Sequence, residues 1–516
     1  TSSAAPFYGK PIASAEAFTG SRYYHCFADQ KNSADYAYAF GVNEFVLCAS
    51  AYQPWIDKYP GSTAGGKHYC LNRNNTYWEY SRPFWDYQAR CSALMRKGVP
   101  VVDICVYLGQ NPPVKLVTYR LPEIPEGYDF DVCTAEALVG RTMAVDGRLT
   151  LPTGISYSLL VIQRNNDMPL HVLRHIAGLV KGGVIVCGPR PDGSDSLKDK
   201  AESEEYRALV DELWGELTTV SQIRKVGKGK IYENIPLSEV LKYENIRPDI
   251  AIKSGNTAKD KVYFVHRRLS DADVYFLNNH SDRAFHDTVR LRTDARQAEY
   301  WDAVTGQRYM IPVKASGEKG MLLNLTLAPR ESGFIVTSNN QATGLLPIIA
   351  DVQETITPIE GSWNVYFDPR WGGPGKVVFD ELIDWTVHAD TGIRYYSGTA
   401  VYHKELNLAI PAQNERLLLR FPRLGSLARV WVNGKEVVTV WCSPWEADIT
   451  SYVHEGKNNL KIEVVNSLMN RMIGDASLPE SERFTYAYPQ IATPTDKLVP
   501  SGIMEQLNLV YRPVSY

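Results

Sequence analysis

The chemistry legible in this chain starts at one carboxylate. Glu16 follows Ile12, Ala13 and Ala15 in the stretch Lys10 to Gly20, with almost no polar neighbours before Thr19 and Gly20. A carboxylate in apolar surroundings must be paired, hydrogen-bonded or shifted in proton affinity. Such a group suits general acid or base work. The competing reading is a solvated surface glutamate, the commoner fate of this residue type. Further on, Tyr52, Gln53 and Trp55 follow the strand-like run Asn43 to Ser50, and a Gly- and Pro-rich loop from Asp57 to Lys67 leads to His68, Arg73, Tyr77 and Trp78. Imidazole, guanidinium, amide and aromatic groups gathered on a loop suit the binding of hydroxyl-bearing rings. The alternative for the aromatics is core packing under the loop.

Positioning these groups takes a strand, a helix and a strand. The apolar run before Thr19 and the run Asn43 to Ser50 are strand length, and Phe27 to Phe40 between them is helix length. A unit of this kind has parallel strands. In a parallel barrel the working side chains sit at the C-terminal strand ends, where Glu16 and Tyr52 to Trp55 fall. A helix from about Tyr80 to Lys97, stopped by Gly98, closes the region; its Trp85, Tyr87 and Met95 read as core. Two strands do not make an eight-stranded barrel. The expectation is a companion N-terminal segment that carries the remaining strands and a second carboxylate upstream of Thr1.

The rest of the 516 residues divides by pattern. Residues 1–98 read as the C-terminal part of a (β/α)8 catalytic barrel. Residues 99–220 read as a flavodoxin-like, doubly wound α/β domain, with strands expected at Val99 to Leu108, Ser156 to Ile162 and Val184 to Gly188 and helices at Met168 to Val180 and Ala201 to Trp214. Gly188 to Gly193 has neither a dinucleotide nor a Walker pattern and reads as a turn. Residues 221–346 have the composition of an antiparallel β-sandwich; there His266, Arg267 and Arg268 either line a site or form a solvated strand face. Residues 347–516 read as a jelly-roll sandwich of short strands, with Asn433-Gly434 as a hairpin turn. The fold class is therefore α/β plus all-β, multidomain.

Composition narrows the function. A formal net charge of -3 and a charged fraction of 22%, without blocks of one sign, give no nucleic-acid footprint. No apolar stretch is long enough for a helical membrane span. Eight cysteines without a CxxC pair or zinc spacing read as buried structural thiols. The excess lies in aromatics, with 31 Tyr, 11 Trp and 15 Phe, which supply faces that stack on sugar rings.

Several stretches together resemble a known family. Ala15-Glu16-Ala17-Phe18-Thr19, then Gly41 to Val46, Gln53-Pro54-Trp55 and Arg73 to Trp78 look like the C-terminal half of a glycoside hydrolase of family 106, the α-L-rhamnosidase type. Gly361 to Trp363, Phe367 to Pro374 and Gly392 to Thr399 are similar to that family's terminal galactose-binding-like sandwich. The resemblance implies exo-hydrolysis of a terminal α-linked sugar, L-rhamnose, from plant pectic polysaccharide by a two-carboxylate mechanism. It also implies calcium at the site, no organic cofactor, and a periplasmic or secreted bacterial protein acting on oligosaccharide or polysaccharide. Glu16 matches the family's catalytic base; Tyr52, Gln53, Trp55, His68, Arg73, Tyr77 and Trp78 are the expected substrate-binding residues. Tyr52 stands where the family pattern has His, a departure that bears on sugar specificity. The alternatives are an α-galacturonidase like those of glycoside hydrolase family 138, which would use Arg73 and Lys67 on a uronate, a non-catalytic carbohydrate-binding protein, and a scaffold built on the α/β layer.

Overall fold

Asn43 sets the register of the first two strands. Its Oδ1 accepts from the Ala13 N–H at 2.8 Å, its Nδ2 donates to the Pro11 carbonyl at 2.9 Å, and its own N–H donates to the Ala13 carbonyl at 2.9 Å. Strand β1 (Ser14–Ala17) therefore runs parallel to β2 (Glu44–Leu47), with Ser14 opposite Glu44 and Glu16 opposite Val46. Helix α1 (Phe27–Ala39) connects them, so the expected strand–helix–strand unit is present. The computed structural model describes residues 2–48, 50–63, 71–109, 123–163, 167–194, 203–217, 220–255, 261–317, 319–340, 345–346, 348–349 and 354–515.

A buried ion pair fastens this unit to the rest of the molecule. Lys31 and Asp35, one turn apart on α1, meet at 2.7 Å with both side chains almost wholly inaccessible. Lys31 Nζ also donates to Ser332 Oγ at 2.8 Å, and the Tyr87 hydroxyl donates to Asp35. Tyr87 belongs to helix α2 (Arg82–Met95), which covers α1 through Phe84 stacked on Phe27 at 4.8 Å. Tyr87 and Met95 are buried, as the sequence pattern predicts. A charged pair is retained in such a place only where hydrogen bonds complete it.

The α/β layer has strands β4 (Ile104–Tyr107), β5 (Phe130–Cys133), β6 (Leu159–Ile162), β7 (Ile185–Cys187), β8 (Gln222–Val226) and β9 (Gly229–Glu233), in the order β8-β9-β7-β6-β4-β5. Five are parallel and β8 is antiparallel at the edge. Numbered along the chain, the parallel strands run 2-1-3-4-5, the flavodoxin-like winding. Helices Leu170–Lys181 and Ser203–Trp214 lie where the sequence places them. The sheet passes the expected boundary at residue 220, because β8 and β9 complete it and helix Leu237–Tyr243 packs on it.

The apolar run Val99 to Leu108 is not one strand. Val99–Pro100 pairs with the neighbouring sandwich, while Ile104–Tyr107 belongs to the α/β sheet. Asp103, between them, ends the first segment: its carbonyl accepts from the N–H of Ser158 at 2.7 Å, and its buried carboxylate binds Arg292 at 2.7 Å. The run Ser156 to Ile162 divides in the same way into Ser156–Tyr157 and Leu159–Ile162.

Two antiparallel sandwiches follow. The first stacks the sheet that contains Val262–Arg268 and Ala272–Asn279 on the sheet that contains Phe285–Leu291 and Met321–Leu327. The second joins a six-stranded sheet to a five-stranded one around Trp363, Phe367, Trp385 and Tyr402. Its strands Leu427–Val432 and Lys435–Val440 turn at Asn433 (φ 51°) and Gly434 (φ 78°), the paired positive φ values that an Asn-Gly hairpin requires. Cys91, Cys105, Cys133, Cys187 and Cys442 are free and buried, and burial raises the Cys187 thiol pKa above its ordinary value.

Candidate active site

Chain reversal begins at Phe18, once β1 has ended at Ala17. Phe18 has φ 66°, an uncommon value for a bulky residue, held by contacts of its ring with Phe45 at 5.9 Å and Phe84 at 6.0 Å. The Ser21 N–H donates to the Phe18 carbonyl at 2.8 Å, so Thr19 and Gly20 form the centre of the turn, as their sequence suggests. The turn carries Thr19 back over the strand end, where its hydroxyl donates to Glu16 Oε1 at 2.7 Å.

The environment of Glu16 differs from the expectation. Its side chain is exposed rather than surrounded by apolar groups. Alternation along β1 explains why: neighbouring Ala residues point to other faces, and among the described residues β1 pairs only with β2. On β2, Val46 and Leu47 are 58% and 40% exposed. A parallel sheet with uncovered apolar faces is unusual, since such sheets are normally buried on both sides.

The loop beyond β2 is built by its polar residues. Gln53 Nε2 donates to the Ser62 carbonyl at 2.7 Å and Gln53 Oε1 accepts from the Ser62 N–H at 2.9 Å. Arg73 Nη2 donates to the carbonyls of Gln53 and Trp55, both at 3.3 Å. Both ends of the Gln53 amide are thus occupied by the backbone, and the residue shapes the loop. Tyr77 is a core residue against Phe27, its phenol pKa pushed up by burial, so core packing holds for this aromatic. Trp78 is 39% exposed and Tyr52 83% exposed. His68 and Lys67 lie outside the described residues.

Sequence reasoning missed the partner of this loop. Strand β3 (Pro60–Ser62) pairs in parallel with β10 (Tyr486–Tyr488) of the last sandwich. Thr63 Oγ1 donates to the Pro489 carbonyl at 2.9 Å, and Trp55 meets the Tyr486 ring edge-on at 5.1 Å. Tyr23, from the loop after β1, packs with Leu468, Met472 and Ile473 of the same sandwich. The terminal sandwich therefore rests on the loops at the C-terminal ends of both β1 and β2. The visible hint was an aromatic cluster, Phe484, Tyr486 and Tyr488, beside Pro489.

His266, Arg267 and Arg268 have three different environments: His266 is buried, Arg267 is half-buried and Arg268 is exposed, its Nε donating to Asp273 at 2.9 Å. His266 is wholly buried between carboxylates, with Nδ1 2.9 Å from Asp249 and Nε2 3.0 Å from Asp273. Burial works to lower its pKa, but the two carboxylates outweigh burial and raise it. Arg292 extends the network from Asp249 to Asp103, joining the first sandwich to the α/β layer. Arg267 donates to the carbonyls of Lys97 and Gly98 at the end of α2. Calcium takes six to eight oxygen ligands. Among the described residues, no group of three or more Asp, Glu, His or Cys side chains is placed to hold a metal ion.

Comparison with known proteins assigns the chain. The family model described as alpha-L-rhamnosidase matches residues 1–314, and that of the glycosyl hydrolases family 2 sugar binding domain matches residues 350–513. A solved rhamnosidase from Novosphingobium sp. PP1Y is similar over 99% of this chain and 48% of its own, at 29% identity and a TM-score of 0.90. A putative beta-glucuronidase from Formosa agariphila is 23% identical over 93% of this chain and 59% of its own length. The chain thus spans about half the length of the relatives it matches. With more than half of its residues matched by the first model, the chain belongs to glycoside hydrolase family 106, the alpha-L-rhamnosidase family.

Proposed function

We propose that this chain contributes one carboxylate, the sugar-facing loops and the terminal sandwich of an exo-acting glycoside hydrolase that removes α-linked L-rhamnose from plant pectic polysaccharide. In the proposal β1, α1 and β2 end a (β/α)8 barrel whose other strands come from a companion N-terminal segment. The uncovered Val46 and Leu47 support this reading, because those strands would bury them. The observation that carries it is Glu16 at the C-terminal end of a parallel strand, held by Thr19 and presented to solvent.

Two carboxyl groups flank the scissile bond in such enzymes. The acid, in the companion segment, protonates the glycosidic oxygen as its bond to the anomeric carbon breaks. Glu16 accepts a proton from the attacking water as the new bond forms, or attacks the anomeric carbon itself. The Thr19 hydroxyl orients one carboxylate oxygen and leaves the other for this work. Periplasmic or secreted location belongs to the same proposal.

A uronate-directed site is the second reading, favoured by the name of the Formosa agariphila relative. It receives less support from the geometry, since Arg73 Nη2 is occupied by backbone carbonyls. The whole protein assayed on 4-nitrophenyl α-L-rhamnoside, 4-nitrophenyl β-glucuronide and a galacturonate-capped oligosaccharide decides between them. Release from the rhamnoside alone supports the first reading and release from a uronide the second. Oligosaccharide binding without hydrolysis would make the chain part of a carbohydrate-binding protein.

A further inference from the structure

The segment 484–489 is held on two sides. From beneath, Asp475 Oδ2 accepts from the N–H groups of Phe484 at 3.0 Å and Thr485 at 2.7 Å and from Thr485 Oγ1 at 2.6 Å. Asp475 and Arg471 are both buried and form an ion pair at 2.9 Å, and the Arg471 guanidinium lies 5.0 Å from the Phe484 ring centre. From the other side, β3 supplies its strand partner and Lys58 Nζ sits 4.1 Å from the Tyr486 ring centre. A buried carboxylate with three donors from one loop fixes that loop firmly.

One large aromatic in this fixed segment has no structural duty that its exposure would explain. Tyr486 is wedged against Trp55, whereas Tyr488 is 65% exposed. Side chains two apart on a strand share a face, so Tyr488 continues the surface begun by Trp55 and Tyr486. Tyr52 is also exposed on the loop leading into Trp55. Rigid aromatic faces bind with little loss of side-chain freedom. An exo-acting site holds the terminal sugar in its pocket, so the remainder of the chain must leave across the rim.

We propose that Tyr488, with Trp55 and Tyr486 behind it, is a specificity-determining platform that stacks on a sugar of the leaving-group chain, and that Asp475 is the residue that positions it. The terminal sandwich thus selects oligosaccharide over small glycosides. This rests on the hydrolase reading above for its kinetic arm, but not for its binding arm.

The test uses the whole protein with Tyr488→Ala, Tyr488→Phe and Asp475→Asn, and with Tyr366→Ala as a control at an exposed tyrosine on another strand of the same sandwich. The probes are a rhamnose-capped pectic oligosaccharide and 4-nitrophenyl α-L-rhamnoside, together with calorimetric binding of the oligosaccharide. Tyr488→Ala is expected to lower the ratio of kcat/KM values, oligosaccharide over aryl glycoside, about tenfold, mainly through KM, and to weaken binding by a similar factor. Tyr488→Phe keeps the ring and the ratio, and Tyr366→Ala leaves the ratio unchanged. Asp475→Asn raises KM for the oligosaccharide more than for the aryl glycoside. An unchanged ratio and unchanged binding in Tyr488→Ala overturn the platform, and equal KM changes in Asp475→Asn overturn the positioning role. If the unsubstituted protein turns over neither substrate, the hydrolase reading fails, and the binding measurement alone decides the platform.

Discussion

The amide of Gln53 closes on the backbone of Ser62, donating to its carbonyl at 2.7 Å and accepting from its N–H at 2.9 Å. This pair sets the shape of the loop beyond β2. Gly61, at φ 74°, lies so close that a Cβ there would stand 2.4 Å from Gln53 Oε1. The loop reaches the terminal sandwich because Ser62 is held extended opposite Tyr488.

Replacing Gln53 by Ala removes the two hydrogen bonds that its amide makes to the Ser62 backbone. The expected loss is about 1–3 kcal/mol of unfolding free energy, with faster proteolysis near residues 56–63. Denaturant unfolding and limited proteolysis check this. A Gln53 that binds substrate would instead lose activity with an unchanged unfolding curve.

Breaking the Lys31–Asp35 pair strands a buried charge. Asp35→Ala should destabilise by about 3–5 kcal/mol, because the Lys31 ammonium loses its carboxylate and Tyr87 loses its acceptor. The double variant Lys31→Met, Asp35→Leu should recover most of that loss. Equal stability of the single variant and the parent would contradict the assignment.

His266 links stability to pH. Its folded pKa is raised, so its stabilising contribution is fully present below its unfolded value of about 6.5 and is lost as pH rises through the folded value. Asp273 works in the opposite sense. Burial would raise its pKa, but hydrogen bonds from His266, Arg268 and Thr293 lower it, so its contribution is present above about 3.9 and fades as pH falls through the depressed value. Melting temperature measured across pH 6 to 9 should therefore fall in the parent and fall less in His266→Gln. Parallel curves would remove the histidine from the linkage.

Local signals in the sequence were reliable where local physics decides. Helix α1 begins at Phe27 because Cys26 and Asp29 cap it, the Cys26 N–H donating to Asp29 Oδ2 at 2.8 Å, and it ends where Gly41 follows. The Asn433-Gly434 turn and the alternating α/β layer were legible for the same reason. Burial set by distant partners was not. Nothing near His266 announces Asp249 or Asp273 as the carboxylates that enclose it, and Asp103 interrupts an apolar run because Arg292 awaits it in another domain. The pairing of β3 with β10 joins segments more than four hundred residues apart and leaves no periodic trace in either. The exposure of Glu16 reflects which face of β1 has a neighbour, a fact of topology rather than of flanking residue types.

The account depends most directly on Glu16. Turnover of 4-nitrophenyl α-L-rhamnoside by the whole protein should fall by about 10²–10⁴-fold in Glu16→Gln, with the melting temperature unchanged because the side chain is exposed and an amide oxygen can still accept from the Thr19 hydroxyl. Near-parental turnover in a folded Glu16→Gln variant would contradict the account and place the base elsewhere.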